Sequence, residues 1–241
     1  MTALTNWFQG IDLSRIVEWL MFALAALLSI SVHESSHALA AYKLGDDTAK
    51  RMGRISLNPL HHLEPVGFLM MVVAHFGWAK PVPVNPYRMT KLKNPKVGMA
   101  LSSAAGPVSN LLLALLAGIA FYIVYYAGGP TLWSMWGGYG EPGGWRYYLS
   151  LLLYICLLLN AGLAVFNLIP ISPLDGSKIL AIFLPDKAYA WLMRYERYGF
   201  LLLAVLLFTG VLDGPLAFLR GGVIDAVSAV ARPIAQALTG V

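Results

Sequence analysis

IVEWLMFALAALLSISVHESSHALAAY, residues 16–42, is an apolar run long enough to cross a bilayer, with ionisable groups buried in its second half. At 1.5 Å per residue it makes about 40 Å of helix, against a hydrocarbon core of roughly 30 Å. Glu18 interrupts it near the start, and His33, Glu34 and His37 further on. Arg15 in front and Ala38-Leu39-Ala40 behind give it some features of a cleaved leader. Three ionisable residues directly before that site spoil the apolar region a leader needs, so a retained span is expected.

Composition agrees with a bilayer environment. Of 241 residues, 58% are apolar and 12% charged, where soluble domains run near 45–50% and about 25%. No polar stretch is long enough for a soluble domain, so no PDZ-like or nucleotide-binding regulatory module is expected. Cys156 is a lone cysteine in an apolar run, which excludes a disulfide framework.

Beyond the first span the chain alternates. Residues 66–79 (VGFLMMVVAHFGWA) are apolar but only 14 long, which suits a re-entrant segment better than a span. Residues 80–96 alternate proline with valine and then turn basic. Pro-Val-Pro-Val-Asn-Pro cannot be helix and reads as an edge strand, with Gly53–Asn58 as partner. Further spans are expected at about 98–127, 147–169 and 198–212, the loop 128–146 being rich in Gly and Trp as at a membrane interface. Residues 216–241 mix small apolar residues with Arg220, Asp225 and Arg232 and are read as an interfacial helix. The expected fold is thus an all-α polytopic membrane protein: about four transmembrane helices, a re-entrant or β-hairpin segment, and a C-terminal interfacial helix. It forms one membrane-embedded domain over 1–241, with a catalytic core at about 16–180 and C-terminal helices at about 185–241.

Charge sets the orientation. If those four spans alternate and 66–79 does not cross, one side receives 13 basic residues, from Lys43 to Arg197, and the other only Arg15, Arg146, Arg220 and Arg232. Positive loops stay inside, so the N-terminus is expected outside and the basic loops in the cytoplasm. The net charge of +5 is then a property of topology, and no nucleic-acid partner is implied. The partner implied is the lipid bilayer itself; nothing in the sequence specifies an oligomeric state.

His33-Glu34-Ser35-Ser36-His37 is H-E-x-x-H. Residues four apart share a helix face, so both imidazoles can reach one ion. Glu34 is placed to act as general base on a water that the metal has made acidic. Ionisable groups inside a bilayer cost several kcal/mol and mark function. A catalytic zinc takes three protein ligands and keeps an open position; the third could be His61, His62, Glu64, His75 or Asp175. Asp175 fits best, because both the histidine pair and Asp175 fall near the inner end of an inward-running span. Pro170 and Pro173 forbid regular helix there, and irregular backbone at membrane depth is tolerated where it lines a watered cavity.

These residues resemble the site-2 proteases, intramembrane zinc metalloproteases of regulated intramembrane proteolysis. The resemblance covers about 30–200. It rests on the H-E-x-x-H helix, on G-P-x-x-N at Gly106–Asn110, and on N-x-x-P-x-x-P-L-D-G at Asn167–Gly176. SLNPLHHLEPVG and GWAKPVPVNP are similar to the compact bacterial branch without PDZ or CBS domains. The resemblance implies Zn²⁺ held by His33, His37 and Asp175, with Glu34 as the catalytic base. It implies Asn110 and Asn167 as residues that position substrate or stabilise an oxyanion; either could instead form an interhelical hydrogen bond. It implies a transmembrane protein as substrate, clamped by the Val82–Pro86 strand through β-augmentation. Ser35 stands where the family often has a bulky apolar residue, Ser172 where it often has proline, and Glu64 where aspartate is usual; none removes a ligand or the base.

Two other readings compete. A scaffold with a structural zinc would have no use for Glu34 and would need a fourth ligand, such as His62 or Glu64. A transporter would need paired broken helices in repeated halves, and no internal repeat is visible. The ligand set alone would also suit iron or cobalt. His62 is expected at the interface or near the site, and His61 and His75 are expected to be structural.

Overall fold

The computed structural model describes residues 13–67, 69, 80–128 and 145–240. The expected re-entrant stretch 66–79 lies mostly outside the described residues, and so does His75. The described elements are helices: α1 (Leu13–Leu44), α2 (Thr48–Arg51), α3 (Pro95–Gly128), α4 (Trp145–Asn167), α5 (Asp175–Leu180), α6 (Asp186–Arg194), α7 (Glu196–Phe208) and α8 (Asp213–Thr239), with single 3₁₀ turns at Pro59–His61, Pro86–Arg88 and Ala181–Phe183.

Four of these helices are long and apolar enough to cross a membrane: α1 from Ile16, α3, α4 and α8. They pack as a bundle in which α3 touches α1, α4 and α8. Small residues let the backbones approach: Ala25, Ala114, Ala117, Ala161, Ala164 and Ala231 are all buried. Lipid tails are as apolar as leucine, so association in a bilayer rests on such close packing. Many large side chains lie outside, among them Leu20, Leu112, Leu116, Leu201 and Phe208, while Leu157 and Leu203 are buried.

The last span differs from expectation. The run expected at 198–212 forms α7, whose 13 residues reach about 20 Å and fall short of the roughly 30 Å core. Gly210, at φ +69°, turns the chain into α8. That helix was expected to lie in the interface, yet it is 27 residues long and packs on α3 and α4. Its charges and glycines dilute the apolar signal, while Val227, Ser228, Ala231 and Ala235 build a buried face. A Cβ on Gly118 of α3 would come 2.9 Å from Val227 Cγ1, so the two helices meet closely there. Arg232 donates from Nε to the Tyr122 hydroxyl at 3.0 Å and stacks over its ring.

The expected β-hairpin is also absent among the described residues, which contain no strand. Pro81, Pro83 and Pro86 have no N–H to give a ladder. Residues 53–62 and 80–85 are joined instead by Lys80 N–H donating to His62 O at 2.9 Å and by the Arg54 guanidinium, which donates to the carbonyls of His61 and Lys80.

Candidate metal centre

His33 and His37 stand one turn apart on α1 and face α3. Asp175 is the first residue of α5, delivered by the irregular segment after α4. His33 Nε2 and His37 Nε2 lie 3.0 Å apart, and Asp175 Oδ2 lies 3.2 and 3.3 Å from them. All three residues are buried, between 7% and 8% exposed. Among the described residues they form the one cluster of histidine, cysteine or acid groups able to hold a metal.

Hydrogen bonding decides what those three atoms are. His37 Nδ1 lies 2.8 Å from the Ser102 carbonyl, which can only accept, so Nδ1 carries the hydrogen. His33 Nδ1 faces Asn110 Oδ1 at 2.5 Å and likewise donates. Both Nε2 lone pairs therefore point at Asp175 Oδ2, and three acceptors converge with no donor between them. A cation resolves that repulsion. Zinc ligands at about 2.0–2.1 Å in a tetrahedral array stand about 3.3–3.4 Å apart, close to the spacing here. Outward hydrogen bonds of this kind fix the tautomer of ligating histidines. The residues present fit Zn²⁺.

Two glycines explain how the backbone gets so close. A Cβ on Gly106 of α3 would collide with the ring atoms of both histidines. A Cβ on Gly176 would collide with the Leu168 and Ile169 carbonyls, so the turn that presents Asp175 closes only with glycine there.

Glu34 is half-buried beside the cluster. Its Oε2 accepts from Val82 N–H at 3.2 Å. Glu34, Val82, Val84, Asn167 and Lys178 line a cavity of about 210 Å³ that opens on the three converging atoms. Asn167 lines the same cavity and donates from Nδ2 to Leu163 O at 3.0 Å, while its oxygen has no bond among the described residues. Asn110 is placed differently from the expected substrate contact. It is fully buried behind His33, and its amide is committed to His33 and, at 2.6 Å, to Asn160 Oδ1.

Of the other candidate ligands, the described ones, His61, His62 and Glu64, do not join the cluster. His61 bonds through Nδ1 to Gly53 O at 2.7 Å, and Glu64 accepts from Gly67 N–H at 2.5 Å. His62 is 1% exposed and donates from Nε2 to Ser56 O at 2.7 Å. Ser35 shares that carbonyl, so His62 braces the metal-site helix from behind. Reading the sequence missed Asn160, Ser29 and Ser102. The signal was available for the first two: each is a polar residue inside a long apolar run.

No protein-family model matches the chain, and no solved structure does. Curated relatives do. The chain is 39% identical over 183 residues to the "Putative zinc metalloprotease YwhC" of Bacillus subtilis (strain 168), covering 76% of this chain and 78% of that protein. It is 30% identical over 215 residues to the "Putative zinc metalloprotease Rip2" of Mycolicibacterium smegmatis, covering 86% and 71%. The Rip2 of Mycobacterium tuberculosis (strain H37Rv) is 28% identical over 213 residues. With a donor set that suits Zn²⁺ and relatives that cover most of both chains, the chain belongs to the family of zinc metalloproteases that includes YwhC and Rip2.

Proposed function

We propose that this chain is an intramembrane endopeptidase of the site-2 protease kind, acting in the bacterial cell membrane with its site towards the cytoplasm. Its substrate is another transmembrane protein, cut in or near a membrane-spanning helix in regulated intramembrane proteolysis. The observation that carries this reading is the convergence of His33, His37 and Asp175 beside Glu34 and a polar cavity, inside a bundle of apolar helices.

Zn²⁺ bound there supplies Lewis acidity to the scissile carbonyl and lowers the pKa of water. The chain's residues do the rest. Glu34 Oε2 is held by Val82 N–H, which leaves Oε1 to take the proton from the attacking water and return it to the departing amine. Asn167 turns its amide to the cavity, where it orients the substrate backbone. A helical peptide bond is protected by its own hydrogen bonds, so the substrate must unwind locally. The extended Pro81–Asn85 strap offers an unwound segment a backbone partner: Val84 lines the cavity, and its N–H has no acceptor among the described residues.

The decisive experiment pairs cleavage with metal content. Glu34→Gln is expected to retain zinc and fold and to lose about 10²–10⁴ in rate, the usual worth of a general base. Undiminished cleavage by a zinc-loaded Glu34→Gln enzyme would sink the assignment. The same variant, lacking turnover, is expected to trap the membrane-protein substrate.

A further inference from the structure

We propose that Asn160 is a positioning residue for the metal centre: acting through Asn110, it sets which nitrogen of His33 carries the hydrogen. The inference rests on the reading of His33 as a zinc ligand.

The two histidines are oriented by different means. A backbone carbonyl, Ser102 O, fixes His37 directly. His33 instead faces a side-chain amide, and an amide can turn over. Turned over, Asn110 would present NH₂ to Nδ1, move the ring hydrogen to Nε2 and remove the lone pair that faces the metal. Something must hold Asn110 in its present sense.

A chain of bonds leads to Asn160. One end of its amide lies 2.8 Å from the Cys156 carbonyl and 2.8 Å from Ser29 Oγ. The carbonyl can only accept. Ser29 gives its own hydrogen to Ala25 O at 2.7 Å, so towards Asn160 it too can only accept. Both neighbours therefore require NH₂ at that end, and Oδ1 must be the atom facing Asn110, at 2.6 Å. Asn110 must then offer Nδ2 to Asn160 and Oδ1 to His33. The sense of each bond follows from the one before it, from α4 through α3 to α1.

Asn160 is fully buried within α4. An amide there is costly unless bonded, and every bond it makes serves this sense of donation. A residue needed only to hold helices together would not have to specify direction.

The test compares Asn160→Leu with the double variant Asn110→Asp/Asn160→Leu in the detergent-solubilised full chain. In the single variant Asn110 is free to turn, and zinc affinity is expected to fall about 10–100-fold, the usual effect of losing an outer partner of a ligand. Aspartate at 110 accepts through either oxygen, so the double variant is expected to recover most of that loss although it carries one more core substitution. ¹⁵N-histidine spectra of the metal-free proteins give a second readout, with the His33 signals identified by their loss in His33→Ala. Wild type and the double variant should show His33 hydrogen on Nδ1, and Asn160→Leu a shift towards Nε2. Asn160→Ala carries the same comparison should leucine fail to fold. Wild-type affinity in Asn160→Leu overturns the inference. So does a loss that Asn110→Asp fails to recover while the metal-free protein melts earlier, since that marks packing alone. A wild-type chain that binds no zinc overturns the proposed function as well.

Discussion

Gly106 shows what a single missing Cβ does at this site. It lies on α3 where that helix backs against both imidazoles, and an alanine methyl would press on the rings of His33 and His37. The rings are held by Asn110 and Ser102 from the same helix, so they have nowhere to yield. Overpacking of this kind costs about 1–3 kcal/mol. Gly106→Ala is therefore expected to lower zinc occupancy by elemental analysis and to shift thermal unfolding of the zinc-loaded protein downwards. Gly162→Ala is the comparison, because a Cβ there meets only Arg220 Cδ, at 3.7 Å; equal losses in the two variants would remove the steric explanation. At this scale the sequence is informative about identity and silent about direction. The spacing of His33 and His37 announces a shared face, and the G-P-x-x-N pattern announces Gly106 and Asn110. That Asn110 turns towards His33 and does not line the cavity depends on Asn160, fifty positions along the chain, and no local pattern encodes that pairing.

Among the elements, the Pro81–Asn85 strap depends most on side chains distant in sequence. Its prolines cannot join a ladder, so it is pinned at its ends: by Arg54 and His62 O at Lys80, and by Asp46, whose Oδ2 accepts from Asn85 N–H at 2.6 Å. Asp46 also accepts from the backbone N–H and hydroxyl of Thr48, which ties the strap to the end of α1. Burial opposes the charged form of Asp46, but the hydrogen bonds from Thr48 and Asn85 outweigh it and hold its carboxyl below the usual carboxylate range. A group depressed in the folded state contributes stability above its unfolded value, about 3.9 for aspartate. That contribution is lost as pH falls through the folded value. Asp46→Ala is expected to cost about 1.5–3 kcal/mol at neutral pH, the worth of hydrogen bonds to a charged group, read as a lower melting temperature and faster proteolysis near residue 85. Asp46→Asn keeps an acceptor without the charge, so its unfolding should depend less on pH below 4 than that of wild type. An identical acid profile in the two would show that Asp46 is not the group responsible. That 81–85 is not helical was legible from proline alone. The pairing with Gly53–Asn58 was read as a ladder because strand partners are the usual fate of such segments; Arg54 and Asp46 replace it with bonds that sequence periodicity does not report.

For the molecule as a whole, the assignment of the last crossing helix decides where the chain between α4 and α8 lies. With α8 as the fourth span and 66–79 not crossing, the 13 basic residues from Lys43 to Arg197 would still fall on one side, and Arg220 and Arg232 would move into the crossing helix, leaving Arg15 and Arg146 opposite. The charge bias therefore strengthens. It could not discriminate beforehand, because a crossing at 198–212 and a crossing at 213–239 leave the same residues in the inner loops. Hydropathy favoured the shorter run, since α7 carries no charge after Arg197 while α8 carries Arg220, Asp225 and Arg232 along 27 residues. Packing reverses that order: α8 has a buried face against α3 and α4, whereas α7 exposes Phe200, Leu201, Leu202 and Phe208. Arg232 fits a crossing helix because its guanidinium reaches Tyr122 near the far end of α3, where a long basic side chain can extend to the interface. The two arrangements differ at the turn around Gly210–Leu212, which lies with the basic loops if α8 crosses and opposite them if α7 does. Cys156 is the one native cysteine, so a Cys156→Ala background allows single-cysteine mapping with a membrane-impermeant maleimide. Val211→Cys is expected to label from the same face as Lys91→Cys, and Thr239→Cys from the opposite face. Labelling of Val211→Cys together with Thr239→Cys would instead make α7 the crossing helix and return α8 to the membrane surface.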